Sequence, residues 1–146
     1  MTEKNTPPLL ALVDGSNYIY RAFYGIPSLT NSKGFPTNAI YGFTTMLMKL
    51  LRDLSPDYIV VTFDLKGPTT RHGEFDNYKA TRKPMPDDLI PQIPSIKDVV
   101  RAFSICILEK QGIEADDIIG ALTVQASRRG WHTAIISGDK DLMQLI

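Results

Sequence analysis

The sequence predicts an α/β fold in which a mainly parallel central sheet is covered by helices on both faces. Four short runs, "LLALVD", "DYIVVTFD", "SICILE" and "HTAIIS", are apolar almost throughout, the pattern of strands buried on two sides. Longer stretches with apolar residues at helical spacing separate them, as parallel strands joined by helical crossovers require. In addition, each run ends on a carboxylate or is soon followed by one.

The first strand is read over Leu9–Asp14, closed by an acid and a glycine. "TNAIYGFTTMLMKLLRDL" places Ile40, Phe43, Leu47, Leu50 and Leu54 on one helical face, with Thr37 as the expected N-cap. "DYIVVTFD" is a β-branched strand ending at Asp64. From about residue 66 to 85 the chain is polar and basic without apolar period, and reads as a loop. "DDLIPQIPSIKDVVRAF" is a helix that kinks or starts late at Pro91 and Pro94, with Asp87 and Asp88 as expected caps. "SICILE" is the third strand. "EADDIIGALTVQASRRG" is a helix with Ile118, Ile119, Leu122 and Ala126 inward, stopped by Gly130. "HTAIIS" is the fourth strand, and "DKDLMQLI" opens a further helix. The chain stops inside that helix, so residues 1–146 are expected to be the N-terminal part of a larger domain. Internal repeats and low-complexity tracts are absent from the sequence.

The 146 residues are 43% hydrophobic and 22% charged, the profile of an ordinary globular domain. Net charge is zero, so any affinity for nucleic acid or a membrane surface must be local. Cys106 is the only cysteine, which excludes an internal disulfide and a cysteine-based zinc site and suits a reducing compartment. Its place in "SICIL" reads as a buried small hydrophobe. The polar start "MTEKNTPP" is not a signal peptide, and no apolar run approaches the ~20 residues a membrane span needs. The expectation is a cytoplasmic protein without a membrane partner.

In a parallel sheet all carboxyl ends of strands share one edge, where open α/β sheets bind ligands. Asp14 closes the first strand and Asp64 the second. Glu114, Asp116 and Asp117 follow the third, and Asp139 and Asp141 the fourth. A lone acid at a strand end is ordinarily a cap or turn former. Acids at all four ends, in E-x-D-D and D-x-D clusters, exceed what capping needs. A helix N-terminus stabilises a nearby anion by only about 0.3–1 kcal/mol, too little to hold seven carboxylates together. Cations would. Oxygen-only donors select hard ions, Mg²⁺ or Mn²⁺ rather than zinc, and a pair of such ions suits phosphodiester hydrolysis: one activates water and the other stabilises the leaving oxygen. His72 and His132 stand apart from the acids in sequence and read as surface or structural residues.

Between Lys66 and Lys83 lie Lys66, Arg71, Lys79, Arg82 and Lys83, opposed only by Glu74 and Asp76, with Phe75 and Tyr78 interleaved. Basic groups with aromatics suit a single nucleic-acid strand, charges on phosphates and rings under bases. Such a segment in isolation reads as a solvated loop. Its departure from Asp64 hangs it over the acid cleft and favours nucleic acid. Arg21, shortly after Asp14, is a further candidate contact. Arg128 and Arg129 are explained by their helix C-terminus.

The elements "LVDGSNYIYRAFYGIP", "AIYGFTTMLMKLL", "VVTFD", "RHGEFDNYKATRKPMPDDLIPQIP", "GIEADDIIGAL" and "SGDKDLMQLI", in this order from about Leu9 to Ile146, resemble the 5′-nuclease domains at the N-terminus of bacterial DNA polymerase I. These belong to the flap endonuclease superfamily, with its PIN-like three-layer fold. The resemblance implies that Asp14, Asp64, Glu114, Asp116, Asp117, Asp139 and Asp141 match metal-site acids, Asp14 and Asp116 among the catalytic ones. Lys79 and Arg82 match arch residues that engage the scissile phosphate, and Tyr78 an arch aromatic that stacks on a displaced base. Arg21, Arg71 and Lys83 join them as DNA-binding candidates. The implied substrate is DNA with a 5′ flap or nick, cut during replication and repair, with Mg²⁺ or Mn²⁺ as cofactor, two ions in the complete domain. A polymerase on the same chain and a monomeric state are expected. Family members continue into two further acids and a helix–three-turn–helix element that grips duplex DNA. These residues are absent here, so residues 1–146 alone are expected to cut poorly. Three other readings remain. A PIN-type ribonuclease shares the acids but usually lacks the basic arch. A phosphoacceptor receiver domain needs an adjacent acid pair after the first strand, where this chain has a lone Asp14. The third is a catalytically weak nucleic-acid-binding module.

Overall fold

The computed structural model describes residues 6–64, 85–109 and 114–137, and the backbone of 143–145. The elements in chain order are β1 (Leu9–Asp14), α1 (Gly15–Gly25), α2 (Asn38–Leu54), β2 (Tyr58–Thr62), a 3₁₀ turn at Ile90–Gln92, α3 (Ile93–Ala102), β3 (Cys106–Leu108), α4 (Ala115–Arg128), β4 (His132–Ile136) and β5 (Met143–Leu145). The sheet order is β3-β2-β1-β4-β5. The first four strands are mutually parallel and β5 is antiparallel to β4.

β1 is the centre of this arrangement. It pairs with β2 on one side, Asp14 opposite Thr62, and with β4 on the other, Val13 opposite Ile136. Its side chains alternate between two cores. Ala11 and Val13 join Tyr18, Ile19 and Ala22 of α1, Phe43, Leu47 and Leu50 of α2, and Ile96 and Val100 of α3. Leu10 and Leu12 pack with Ile119 and Ala126 of α4. Three helices therefore cover one face and α4 covers the other, which is why the strand runs read as continuously apolar. No helix among the described residues is long and apolar enough to cross a membrane.

α1 has no counterpart in the sequence reading. "GSNYIYRAFYG" has glycine at each end and four aromatic residues with Ser16, Asn17 and Ile19, all weaker helix formers than alanine or leucine. Packing overrides that weakness: Tyr18, Ile19 and Ala22 are buried, and α1 lies so close to α2 that a Cβ on Gly42 would stand 2.9 Å from the Ala22 Cβ.

A buried amide pair joins these helices to the segment that follows residue 84. Gln92 is fully buried. Its Oε1 accepts from the Ala39 and Ile40 backbone N–H groups at 2.8 and 3.0 Å, and its Nε2 donates to Asn38 Oδ1 and the Asp88 carbonyl, both at 2.9 Å. Asn38 Nδ2 in turn donates to the Phe23 and Ile26 carbonyls at the end of α1. One glutamine thus caps α2 from a distant part of the chain. Thr37 occupies the N-cap position as read, but its side chain makes no cap bond. Asp87 and Asp88 are not at the cap positions, which fall on Leu89 and Gln92; Asp88 contributes its carbonyl.

Two further readings are corrected. The stretch after the fourth strand forms β5 rather than a helix at Met143–Leu145, where it satisfies the backbone groups on the open side of β4. An apolar run this short carries no decisive period. Cys106 is exposed, not buried, because β3 is the edge strand and pairs with β2 alone. By contrast, α3 starts late as read, after the 3₁₀ turn holding Pro91, with Pro94 in its first turn. Gly130 stops α4 at a φ of 77°.

The amide pair yields a test. Gln92→Leu would strand two backbone donors of α2, the Asp88 carbonyl and Asn38 Oδ1 inside the core. The expected loss is about 3 kcal/mol of unfolding free energy, read by urea denaturation. A loss below about 1 kcal/mol would show that the amides are not the joint described here.

Candidate active site

Asp14 belongs to two elements at once. It is the last residue of β1 and the N-cap of α1, with Oδ1 accepting from the Asn17 backbone N–H at 3.2 Å and Oδ2 from Asn17 Nδ2 at 2.9 Å. Only 8% of it is exposed. The turn from strand to helix is tight because Gly15 lacks a side chain: a Cβ there would meet Phe63 Cε1 at 2.5 Å and the Thr62 carbonyl at 2.7 Å. The pairing of Asp14 with Thr62 then places Asp64, two residues on, beside it.

Asp64 is fixed from two directions. Its backbone N–H donates to Ser16 Oγ at 2.9 Å, and its Oδ2 accepts from the Ala115 N–H, the first residue of α4, at 3.3 Å. That bond draws the start of α4 to the end of β2. Asp116 and Asp117 sit in the first turn of α4, and Glu114 occupies its N-cap position without a side-chain cap bond.

The cluster declares itself electrostatically. Burial is the main cause that pushes the Asp14 carboxyl above its ordinary pKa, and the negative charges of Asp64 and Asp116 push it the same way. Hydrogen bonds from the Asn17 and Ser16 backbone oppose the shift without cancelling it. Asp14, Asp64 and Asp116 are therefore brought together, with Glu114 and Asp117 on the same helix start. Among the described residues, no three His, Cys, Asp or Glu side chains are gathered closely enough to hold an ion by themselves. The chemistry of the donors nonetheless fits a hard divalent cation: oxygen only, one of them buried, and mutually repelling.

Asp139 and Asp141 lie outside the described residues, as do Arg71, Tyr78, Lys79, Arg82 and Lys83 of the basic segment. Arg21 is exposed on α1, roughly 9 Å along the axis from its first residue. His132 opens β4 opposite Leu9, at the other end of the strands from Asp14, as the reading of it as a bystander requires. Ser16 and Asn17, which hold Asp64 and Asp14, were not singled out by sequence. The signal was present in "DGSN", where an acid three residues before an amide at a strand end is a capping pattern.

Residues 9–146 match the family described as the 5′-3′ exonuclease, N-terminal resolvase-like domain. The chain belongs to this family. DNA polymerase I of Caldicellulosiruptor bescii is 47% identical over 137 residues, covering 94% of this chain and 16% of that protein. The 5′-3′ exonuclease of Aquifex aeolicus is 46% identical over 137 residues, covering 94% of this chain and 47% of that protein. Among solved structures, a bacteriophage T5 D15 flap endonuclease variant, in a pseudo-enzyme–product complex with DNA and metal ions, superposes with a TM-score of 0.54 at 25% identity, over 90% of this chain and 49% of that one. The T5 D15 protein co-crystallised with metal ions gives 0.50 at 20% identity, a likeness of fold, and the PIN-like three-layer architecture is thereby the one expected. The exonuclease-family domain here thus spans about a sixth of its polymerase relatives and about half of the exonuclease.

Asp14→Asn tests the repulsion. The amide oxygen keeps the acceptor for the Asn17 backbone N–H, a flip of the Asn17 side chain lets its oxygen accept from the new NH₂ in place of the bond to Oδ2, and one charge leaves the cluster. Because the folded-state pKa of Asp14 is raised, its ionisation weakens the fold as pH rises through that value. In divalent-free buffer the variant is therefore expected to melt a few degrees higher than the native chain at neutral pH, with the gap closing toward acid. A variant that melts at or below the native temperature at neutral pH would remove the claim that these carboxylates repel.

Proposed function

We propose that the protein is a divalent-metal-dependent, structure-specific 5′ nuclease that hydrolyses phosphodiester bonds at 5′ flaps and nicks during DNA replication and repair. The observation that carries this reading is the buried Asp14 under the field of Asp64 and Asp116, at the carboxyl edge of a parallel sheet, in a chain of the 5′-3′ exonuclease family. The residues that would hold the ions are Asp14, Asp64, Glu114, Asp116 and Asp117, joined by Asp139 and Asp141, with Mg²⁺ or Mn²⁺ as the ion and two ions in the complete domain. Bound divalent ions supply a nucleophile at neutral pH and offset charge on the leaving oxygen.

The chain's own groups divide the remaining work. Asn17 holds the Asp14 carboxylate and Ser16 holds the Asp64 backbone N–H, which limits how far these acids must reorganise when an ion binds. The start of α4 directs backbone N–H groups and a positive dipole end toward Asp64. Lys79 and Arg82 are assigned to the scissile phosphate and Tyr78 to a displaced base, with Arg71 and Lys83 on neighbouring phosphates and Arg21 contributing from α1. A polymerase domain on the same chain, a monomeric protein and a cytoplasmic location complete the proposal, as does the division of residues 1–146 into a metal-bearing core and a basic arch at about 66–85, with the duplex-gripping part downstream.

The decisive experiment is cleavage of a 5′-labelled flap substrate by the full-length protein. Cleavage is expected with Mg²⁺ or Mn²⁺ and not in excess chelator. Asp116→Asn is expected to lower the rate by more than about 100-fold while leaving the circular dichroism spectrum and melting profile of a folded domain. Undiminished cleavage in chelator, or by the Asp116 variant, would overturn the proposal.

A further inference from the structure

Lys97 is a cation set between chain segments that deliver the acids. It lies on α3, next to the fully buried Ile96, and its side chain is 20% exposed. Its ammonium is bound by both oxygens of Glu109, at 2.9 and 3.0 Å. The same nitrogen stands 5.5 Å from the centroid of the Phe63 ring. Each contact is on the route to a carboxylate. Phe63 immediately precedes Asp64, is almost wholly buried, and its ring abuts Gly15, the residue after Asp14. Glu109 follows the end of β3 and begins the link to Glu114 and α4; the Phe63 N–H donates to the Leu108 carbonyl at 3.4 Å, so the two chain segments run side by side there.

We propose that Lys97 is a positioning residue for the metal-binding carboxylates: its ammonium clamps the ends of β2 and β3 together, through the Phe63 ring and Glu109, and so sets the separation of Asp64 from the start of α4. This rests on the reading of those acids as ion ligands. The physical reason is local. The ammonium is four-fifths covered while Glu109 faces solvent, so the pair is partly screened, and the two-oxygen grip of Glu109 with the aromatic face under the cation supplies directional constraint rather than strong attraction. Repelling carboxylates push Asp14, Asp64 and Asp116 apart. A cation gripping Phe63 and Glu109 at the same strand ends resists that displacement, and its ammonium is already engaged with Glu109 rather than with the acids.

The test uses the full-length protein without DNA, titrated with Mn²⁺ and followed by electron paramagnetic resonance of the free ion. Lys97→Met keeps the aliphatic stem over Phe63 and removes the charge. It is expected to raise the Mn²⁺ dissociation constant about tenfold, the lower end of what loss of an orienting partner costs a metal site. Lys97→Arg, which can pair with both Glu109 oxygens and cover the ring, is expected to stay within about twofold of the native value. In flap cleavage, the Lys97→Met defect should be recovered by saturating Mn²⁺, with the KM for DNA unchanged. Should Lys97→Met fail to fold, Glu109→Gln, which keeps the shape of the partner, takes its place with the same expected rise. A folded Lys97→Met or Glu109→Gln protein that binds Mn²⁺ as tightly as the native one would overturn the inference and leave a plain structural ion pair. If the native protein shows no Mn²⁺ binding that Asp116→Asn abolishes, the metal reading itself falls, and this inference with it.

Discussion

The carboxyl edge of the sheet is organised around one unfavourable interaction, the burial of the Asp14 carboxylate beside the charges of Asp64 and Asp116. Left to themselves, three carboxylates attached to mobile backbone would separate into water. Here they cannot, because each is attached to an element whose other side chains are committed to a core. Asp14 terminates a strand whose Leu12 and Val13 are fully buried on opposite faces. Asp64 follows Phe63, and Asp116 opens the helix that places Ile119 and Ala126 against Leu10 and Leu12. Burial of several large apolar side chains, worth about 1.5–3 kcal/mol each, outweighs the repulsion of a few partly solvated charges. The fold thus holds an arrangement that is unfavourable in itself, and the cation of the proposed function would relieve it.

The same logic explains the density of small polar devices around the acids. Gly15 lets the chain turn at once from β1 into α1, so Asp14 can end a strand and cap a helix in one residue. Asn17 occupies both Asp14 oxygens, and Ser16 accepts from the Asp64 backbone. The Ala115 N–H satisfies an Asp64 oxygen and, by doing so, fixes where α4 begins. None of these bonds neutralises a charge. What they supply is orientation, and orientation decides whether several oxygens can face one ion.

Among the described residues, four of the five strands and three of the four helices were legible from periodicity, because their patterns follow from burial on one face or two. The acid cluster was legible for a related reason: a parallel sheet gathers all its strand ends, so acids far apart in sequence fall on one edge whatever the order of the strands. What could not be read depends on tertiary contact. The sequence of α1 disfavours a helix locally, and only the pocket between β1 and α2 makes it one. Thr37 looks like a cap, yet Gln92 performs the capping from more than fifty positions away in the chain. Cys106 looks buried because its neighbours are apolar, and its exposure follows from strand order, which no local pattern encodes. β5 is three residues long, too short for either period to be visible.

Gln92 and Lys97 sit five positions apart on one continuous stretch and illustrate two ways of using polarity inside a small domain. Gln92 is neutral and fully buried, and every one of its hydrogen-bonding groups is matched, so it adds rigidity without any long-range field. Lys97 keeps its charge, remains in partial contact with solvent, and directs that charge at a glutamate and an aromatic face. The first anchors helices to one another and the chain after residue 84 to both. The second lies against the ends of β2 and β3, where a positive charge opposes the spreading of the acids. Between them, α3 and its approach tie the scaffold of the sheet to the edge where the carboxylates stand, and in the proposed role of Lys97 a helix that contributes no acid to that edge becomes part of what holds the acids in place.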